Sequence, residues 1–275
     1  MDEGQAHPGS ERGRELMTDA VQLTIEGPVV TVVLDNPAKI NALTLEAWAG
    51  LGEAMTAVSG DESLRCVVIR GAGERAFSAG ADISEFLDIR ANGEQARVYG
   101  KVVAAALSAL TGCLHPTVAA IQGVCTGGGM EVACGCDIRI ANASSRFGVP
   151  INRLGHAFAY AEMATVLPVV GRGMVLEMIL EGRILESAEA ERRGLVNRVV
   201  ADEDFEDEIQ ATTGRIAEGA PLVNRAAKKF LHRLADPTPL TRSERDEGYD
   251  LCDSEDYAEG LRAFLAKEKP LFEGK

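Results

Sequence analysis

The sequence lacks several features that would assign it to common classes of protein. Its 275 residues contain 28 Lys and Arg against 42 Asp and Glu, which gives a formal net charge of −14. A nucleic-acid surface needs clustered basic residues, so this balance argues against DNA or RNA as a partner. No uninterrupted apolar run approaches the roughly 20 residues that span a bilayer, and the first residues have no apolar signal-peptide core. We therefore expect a cytoplasmic protein without a membrane partner.

Recognisable metal and nucleotide motifs are also missing. The six cysteines lie at 66, 113, 125, 134, 136 and 252, without the paired spacing of a tetrahedral metal site. Several lie in apolar runs, where a free thiol behaves as a small hydrophobic side chain. Neither a Gly-Lys-Ser/Thr phosphate loop nor the Gly-x-Gly-x-x-Gly dinucleotide pattern with its later acidic residue is present. We expect no metal site and no separate cofactor.

The order of apolar runs and turn residues predicts an α/β protein. Two strands, 21–26 and 29–34, flank a Gly-Pro turn, and a helix capped by Thr44 is expected to end near Ser59. The strands and helices that alternate after it are typical of parallel strands joined by crossing helices. They comprise strand 65–70, helix 95–110 and strand 116–121.

Three regions are expected along the chain. Residues 1–17 are polar and rich in glycine and charge, which is typical of a disordered extension. Residues 18–200 form the predicted α/β core. Beyond Gly171 the pattern is mostly helical, with 195–199 as the only further strand, and residues 201–275 form a predicted C-terminal helical region.

The most informative segment is 126–131, which reads Thr-Gly-Gly-Gly-Met-Glu. The strand-like run 116–121 precedes it and a helix-compatible run follows, so a glycine turn opens a helix there. Glycines leave no side chain in the way of a ligand, and a helix start presents unpaired N–H groups and the positive end of the helix dipole. Glu131 lies one helical turn beyond Gly128, which would place a possible base beside an anion-binding amide. A merely flexible connection is the alternative explanation.

A second segment of small residues could supply another backbone donor. Residues 75–83, which read Arg-Ala-Phe-Ser-Ala-Gly-Ala-Asp-Ile, follow the strand-like run 65–70 and allow a ligand to lie against the main chain. Together with the glycine turn and with 36–44, which reads Asn-Pro-Ala-Lys-Ile-Asn-Ala-Leu-Thr, this ordered set resembles the crotonase superfamily, the enoyl-CoA hydratase/isomerase family. The blocks at 136–138, 147–150 and 259–267 extend the resemblance from about Val21 to the C-terminus.

The resemblance implies a fold, a substrate class and a set of site residues. It implies a crotonase-like spiral of ββα units with a C-terminal helical trimerisation region, in a homotrimer or a dimer of trimers. The substrate would be an acyl-CoA, with coenzyme A as part of the thioester, polarised by the N–H groups of Ala81 and Gly128. Glu131 matches the first of two glutamates with which hydratases position and activate water. The positions implied for coenzyme A are Ala38, Lys39, Ile40, Ala79, Asp82, Ile83, Phe264 and Lys267.

The chain departs from the hydratase pattern at the second glutamate, where the ungapped match places Ile151. The glycine-rich stretch that usually follows is replaced by bulkier residues. His156 and Tyr160 are four residues apart, so on a helix they would share a face, and either could act as an acid near the thioester. They could equally cap or fill the edge of a core. Glu162 ranks behind both.

The resemblance therefore leaves the reaction open. Hydration of a 2-enoyl-CoA is the leading expectation. Another enolate reaction, double-bond isomerisation or decarboxylation, is the alternative because of Ile151. A non-catalytic CoA-binding protein is the alternative from a different class.

Overall fold

The computed structural model describes residues 17–275. The predicted extension 1–17 therefore lies outside the described residues, except for Met17, which begins the first strand. The described strands form a seven-stranded sheet in the order β1-β2-β3-β4-β6-β8-β11 and a four-stranded sheet in the order β10-β9-β7-β5. The strands are β1 Met17–Thr18, β2 Val21–Glu26, β3 Val29–Leu34, β4 Cys66–Gly71, β5 Ala76–Ser78, β6 Thr117–Ile121, β7 Val124–Thr126, β8 Ile138–Asn142, β9 Arg146–Gly148, β10 Ile184–Glu186 and β11 Arg198–Val200.

Ten α-helices accompany these strands in the described part of the chain. The C-terminal residues are mostly helical, as the sequence predicts. The helices are α1 Leu45–Ser59, α2 Phe86–Ile89, α3 Gly93–Thr111, α4 Gly128–Gly135, α5 Tyr160–Leu180, α6 Ser187–Arg192, α7 Phe205–Glu218, α8 Pro221–Leu234, α9 Arg242–Asp250 and α10 Glu255–Ala266.

The ββα unit repeats along the chain. Each of the pairs β4/β5, β6/β7 and β8/β9 places its first strand in the large sheet and its second in the small sheet, and a helix follows. The strands from β3 to β11 in the large sheet are parallel, as are β5, β7 and β9 in the small one. This confirms the predicted crotonase-like spiral.

The large sheet is buried on both faces, which explains its continuous apolar strands. Along β4, Val67 and Ile69 join the main core, whereas Cys66 and Val68 face a second cluster. Phe205 of α7 closes that second cluster. The alternation follows from the two-residue period of a strand.

Most of the predicted strands and helices are confirmed, and the strands that were not predicted are short. Thr44 caps α1 through its hydroxyl, which accepts a hydrogen bond from the Ala47 N–H at 3.1 Å. The strand expected at 195–199 is present but begins later, because Leu195 and Val196 lie buried in a bend and β11 starts only at Arg198. The missed strand β10 has three residues, too few for a periodic pattern to show.

Helix α5 is the one described helix that is long and apolar enough to cross a membrane, judged by length and composition alone. It contains no long uninterrupted apolar run, because charged residues interrupt its apolar residues. Gly171 breaks its helical geometry with φ 73° and ψ 165°, and Arg172 and Glu177 lie in its second half. α5 also packs against α3 and α4. A single helix of this kind is weak evidence for a membrane, because core helices of soluble proteins share the same properties.

Candidate active site

Two loops meet where β5 and β7 end. These strands are parallel neighbours, so their carboxyl ends lie at the same edge of the small sheet. The Thr126 hydroxyl donates a 3.0 Å hydrogen bond to the Ala79 carbonyl, which ties the loops together. A β-carbon on Gly80 would lie 2.8 Å from the Thr126 carbonyl oxygen and 3.0 Å from the Gly128 nitrogen. Only glycine at position 80 allows this approach.

The segment 36–44 braces the loop that carries Ala81. The Ala79 N–H donates to the Ile40 carbonyl at 3.0 Å, the Leu43 N–H to the Gly80 carbonyl at 2.7 Å, and the Asp82 N–H to the Leu43 carbonyl at 2.8 Å. Gly80 and Asp82, on either side of Ala81, are thus fixed by backbone hydrogen bonds. These bonds determine the orientation of the Ala81 amide.

The amide N–H groups of Ala81 and Gly128 are both available to a ligand. Within residues 17–275, neither donates a hydrogen bond to a protein acceptor. Gly128 is the first residue of α4, where N–H groups have no partner inside the helix. A β-carbon at Gly128 would lie 3.5 Å from the Ala81 nitrogen, so the two loops approach closely.

These amides border a cavity of about 110 Å³. Six of the residues predicted for catalysis or coenzyme A binding line it, together with Ile151 and several other side chains. The named residues are Ala79, Ala81, Ile83, Gly128, Glu131 and His156. The side chains contributed from elsewhere include Trp48, Phe86, Arg90, Tyr99 and Glu162.

Glu131 is the most perturbed acid in the cavity. Its side chain is 5% exposed, and Oε2 has no hydrogen-bond donor within the described residues. Burial raises the pKa of Glu131 well above its ordinary value, and the negative charge of Glu162 raises it further. The positive charge of Arg90 partly opposes this shift. The protonated form of Glu131 is therefore favoured.

Two more buried polar atoms lack partners in the same cavity. They are the indole Nε1 of Trp48 and the hydroxyl of Tyr99, which lie near each other but form no hydrogen bond of good geometry with any group in residues 17–275. Burial raises the pKa of Tyr99 to about 12, so this phenol stays a donor at neutral pH. Native proteins leave few buried polar atoms unpaired, and three around one cavity indicate a binding site for a polar ligand.

Arg90 lies at the edge of this group, held by two aromatic rings. Its guanidinium carbon is 5.0 Å from the ring centroid of Phe86 and 4.9 Å from that of Tyr99. Such stacking fixes a cation without using its hydrogen-bond donors. The cavity therefore combines two carboxyl groups, one guanidinium and two free backbone amides.

The comparison with known proteins decides the family. The model of the enoyl-CoA hydratase/isomerase family matches residues 24–275. The chain belongs to this family. A short-chain enoyl-CoA hydratase from Clostridium acetobutylicum is 31% identical over 252 residues, which cover 90% of this chain and 95% of that protein. A crotonyl-CoA hydratase from Syntrophomonas wolfei is 30% identical, with 91% of this chain and 96% of that protein covered.

Solved structures of enoyl-CoA hydratase/isomerase family members share the fold. The crystal structure of an enoyl-CoA hydratase/carnithine racemase from Magnetospirillum magneticum has a TM-score of 0.93 and 49% identity, covering 95% of this chain and 97% of that chain. The enoyl-CoA hydratase of Bacillus anthracis has a TM-score of 0.85 and 27% identity, covering 93% of this chain and all of that chain. The crotonase-like architecture predicted from the motifs is thus confirmed.

The expectation that His156 and Tyr160 share a helical face is wrong. α5 begins only at Tyr160, and His156 lies in the irregular segment before it. Tyr160 is 94% exposed and does not line the cavity, whereas His156 does. The His156 ring packs edge-on against Phe86, with 6.0 Å between centroids.

Besides Ala79 and Ile83, which line the cavity, the positions expected to bind coenzyme A fall into two groups. Ala38, Lys39, Ile40 and Asp82 lie beside the cavity, since Ile40 bonds to Ala79 and the Lys39 ammonium bonds to Asp82 at 2.7 Å. Burial alone would raise the pKa of Asp82, but hydrogen bonds from Lys39 and Ser84 lower it overall.

Phe264 and Lys267 lie elsewhere, at the end of α10. Phe264 is 83% exposed and lines a separate apolar groove with Val223, Leu261 and Phe272. Lys267 ends α10 in a left-handed conformation. Neither residue lines the cavity of Glu131 in this chain, and their contact with coenzyme A stays a prediction.

Glu162 lines the cavity, although the sequence favours His156 and Tyr160 over it. It lies at the third position of α5, where its carboxylate accepts a hydrogen bond from the Ala159 N–H. A glutamate at this position of a helix is a recognised capping signal. A helix across 156–160, as the spacing of His156 and Tyr160 suggests, would not begin where α5 does, and the true start places Glu162 on the cavity wall.

Proposed function

We propose that this protein binds acyl-CoA thioesters and stabilises a thioester enolate between the N–H groups of Ala81 and Gly128. The observation that carries the proposal is the close approach of two loops whose amides have no acceptor within residues 17–275. A thioester α-proton is a weak acid, so the negative charge formed on the carbonyl oxygen must be stabilised. Two preorganised N–H donors in a partly buried cavity provide such stabilisation.

The leading reaction is hydration of a 2-enoyl-CoA. Two similar proteins are named as enoyl-CoA and crotonyl-CoA hydratases, which favours this reaction. When water adds to the β-carbon, the electrons of the double bond move toward the thioester oxygen, where the two amides bind them. Glu131 lies in the same cavity and is placed to exchange a proton with the substrate.

Double-bond isomerisation is the second candidate, and Ile151 favours it. Ile151 is 6% exposed, lines the cavity and cannot transfer a proton. Isomerisation removes a proton from one carbon and returns it to another, which a single carboxyl group can do. Under this alternative Glu131 alone carries the proton.

We further propose that coenzyme A lies along Ala38, Lys39, Ile40 and Asp82, with Phe264 and Lys267 supplied by another subunit of a trimer. Exposed apolar side chains on and near α8 and α10 support such an assembly. They are Val223, Leu231, Leu234, Tyr257, Leu261, Phe264, Leu265 and Leu271.

The test of the proposed function is α-proton exchange together with hydration. The protein is incubated in deuterated water with saturated acyl-CoA thioesters of increasing chain length, and deuterium at the α-carbon is followed by mass spectrometry. Hydration of the matching 2-enoyl-CoA thioesters is followed by loss of their absorbance. We expect both activities with at least one chain length. Absence of exchange and of hydration across the whole series, with coenzyme A esters still bound in calorimetry, would identify a binding protein instead.

A further inference from the structure

Two carboxyl groups reach one cavity from consecutive helices. Glu131 is in the first turn of α4 and Glu162 is in the first turn of α5. Both are buried, with 5% and 6% exposure, and both line the cavity that the Ala81 and Gly128 amides border. They are close enough that the charge of one shifts the titration of the other.

We propose that Glu162 is the second acid-base residue of this site, working opposite Glu131 in place of a carboxyl group at Ile151. The proposal rests on the proposed function, because it assigns the proton transfers of enoyl-CoA hydration. Under this proposal the site has two acid-base residues, Glu131 and Glu162.

The start of α5 positions the carboxyl group of Glu162. One of its oxygens accepts a hydrogen bond from the Ala159 N–H. The N-terminal turn of α5 adds the positive end of a helix dipole. The other oxygen, Oε1, accepts no hydrogen bond from the described residues. Glu162 is therefore anchored through one carboxyl oxygen, and the other oxygen is left for a ligand.

The surroundings of Glu131 favour its neutral form. Its Oε2 has no donor within residues 17–275, and desolvation opposes its ionisation. Two carboxyl groups whose environments differ in this way divide naturally into a base and an acid. Glu162 is the base and Glu131 is the acid.

The resulting hydration step balances without any other reagent. The Glu162 carboxylate removes a proton from water, and the water oxygen bonds to the β-carbon. The electron pair of the double bond moves into a thioester enolate whose oxygen lies between the Ala81 and Gly128 amides. The Glu131 carboxyl group then gives its proton to the α-carbon, which yields a 3-hydroxyacyl-CoA. Transfer of the proton from Glu162 to Glu131 through a water molecule restores the starting state.

A purely structural role for Glu162, as the cap of α5, is the competing explanation. Glu162→Gln separates the two, because the amide oxygen of Gln still accepts a hydrogen bond from Ala159 but cannot act as a base. Glu181→Gln is the matched control, since Glu181 is an exposed residue at the opposite end of the same helix. Thermal melts of both variants check that the fold is retained.

The measurement is kcat and KM for hydration of the enoyl-CoA on which the wild type is most active. A positioned acid-base group typically contributes about 100 to 10,000-fold, so we expect kcat of Glu162→Gln to fall by that factor. KM should change by no more than about threefold, since substrate contacts remain. The loss of kcat/KM toward low pH, which reports the ionised base, should disappear. Glu181→Gln should match the wild type in every respect.

Two further variants test the same proposal, and the first of them also serves if Glu162→Gln proves unstable. Glu162→Asp keeps the charge but withdraws the carboxylate by one methylene, and we expect an intermediate loss of kcat. Introducing Ile151→Glu together with Glu162→Gln places a carboxyl group on another wall of the cavity, and we expect partial recovery.

Wild-type kcat and an unchanged pH profile in Glu162→Gln, in an enzyme that hydrates enoyl-CoA, would show that Glu162 only caps α5. The proposed function would then stand without this residue. A wild type that neither hydrates nor exchanges any thioester overturns the proposed function and the role of Glu162 together.

Discussion

A β-carbon on Gly128 would lie 2.8 Å from Cζ2 of Trp48, closer than real β-carbons approach other atoms. Trp48 is 1% exposed and is packed in the main core. Glycine at position 128 therefore does two things at once. It leaves its own N–H open to the cavity, and it lets the indole ring of Trp48 lie against the main chain.

This relationship predicts different effects for two substitutions of Gly128. Gly128→Ala keeps the N–H but displaces Trp48, whereas Gly128→Pro causes a similar clash and also removes the N–H. Loss of one oxyanion donor typically costs about 100 to 1,000-fold in rate. We expect Pro to be slower than Ala by about this factor in α-proton exchange.

The control for these variants is Gly100→Ala. Gly100 lies in α3, and a β-carbon there would meet nothing within 4 Å. The Gly100→Ala variant should exchange the α-proton of the thioester at the wild-type rate. Equal rates for Gly128→Ala and Gly128→Pro, with both folds intact, would mean that the Gly128 amide does not bind the enolate oxygen.

The glycine turn and the loop of Ala81 were predictable from the sequence because their chemistry is local. Backbone donors need small residues at fixed positions after a strand, and such residues are visible in the sequence. Trp48, Arg90 and Tyr99 were not predictable, since they come from other helices or the loops beside them and meet the loops only in the folded protein. Helical or apolar spacing gives no sign that one of these side chains faces a ligand.

Glu162 was underestimated because α5 starts later than the spacing of His156 and Tyr160 suggests. The spacing of His156 and Tyr160 is compatible with a helix, but the helix starts four residues after His156. A helix start shifted by one turn changes which side chains share a face. Glu162, at the third position of the true start, then lies inside the cavity while Tyr160 is exposed.

The raised pKa of Glu131 predicts a pH-dependent cost to stability. In the unfolded chain Glu131 ionises near its ordinary pKa of 4.5, whereas in the folded protein it keeps its proton to higher pH. Unfolding therefore releases a proton above about pH 4.5, so this residue lowers the free energy of unfolding as pH rises toward the folded pKa. The loss is about 1.4 kcal/mol for each unit between the two pKa values.

Glu131→Gln removes this titration and should change the pH dependence of stability. We expect the free energy of unfolding of the variant, relative to the wild type, to increase between pH 5 and pH 8. Urea unfolding at a series of pH values measures the difference. A constant difference over this range would mean that Glu131 ionises normally in the folded protein.

The cysteines predict a simple pattern of thiol reactivity. Five of the six are buried, and Cys252 is the exposed one. Burial raises the pKa of Cys66, Cys134 and Cys136 to about 12, so few thiolates form at neutral pH. Titration with a chromogenic disulfide should modify one thiol rapidly in the native protein and six in denaturant. Rapid modification of several native thiols would show that the core opens, and none would show that Cys252 is covered by another subunit.

The positive charge of Arg90 should influence the pH at which Glu131 loses its proton. Its positive charge lowers the pKa of Glu131 against the larger effect of burial, so its removal should raise that pKa further. If Glu131 must be protonated to act, the alkaline loss of kcat/KM for hydration should move to higher pH in Arg90→Met. We expect a shift of up to about one pH unit, which corresponds to about 1.4 kcal/mol. Arg90→Lys, which keeps the charge, is the control and should retain the wild-type profile. An alkaline limb that stays in place in Arg90→Met would show that the group titrating there is not Glu131.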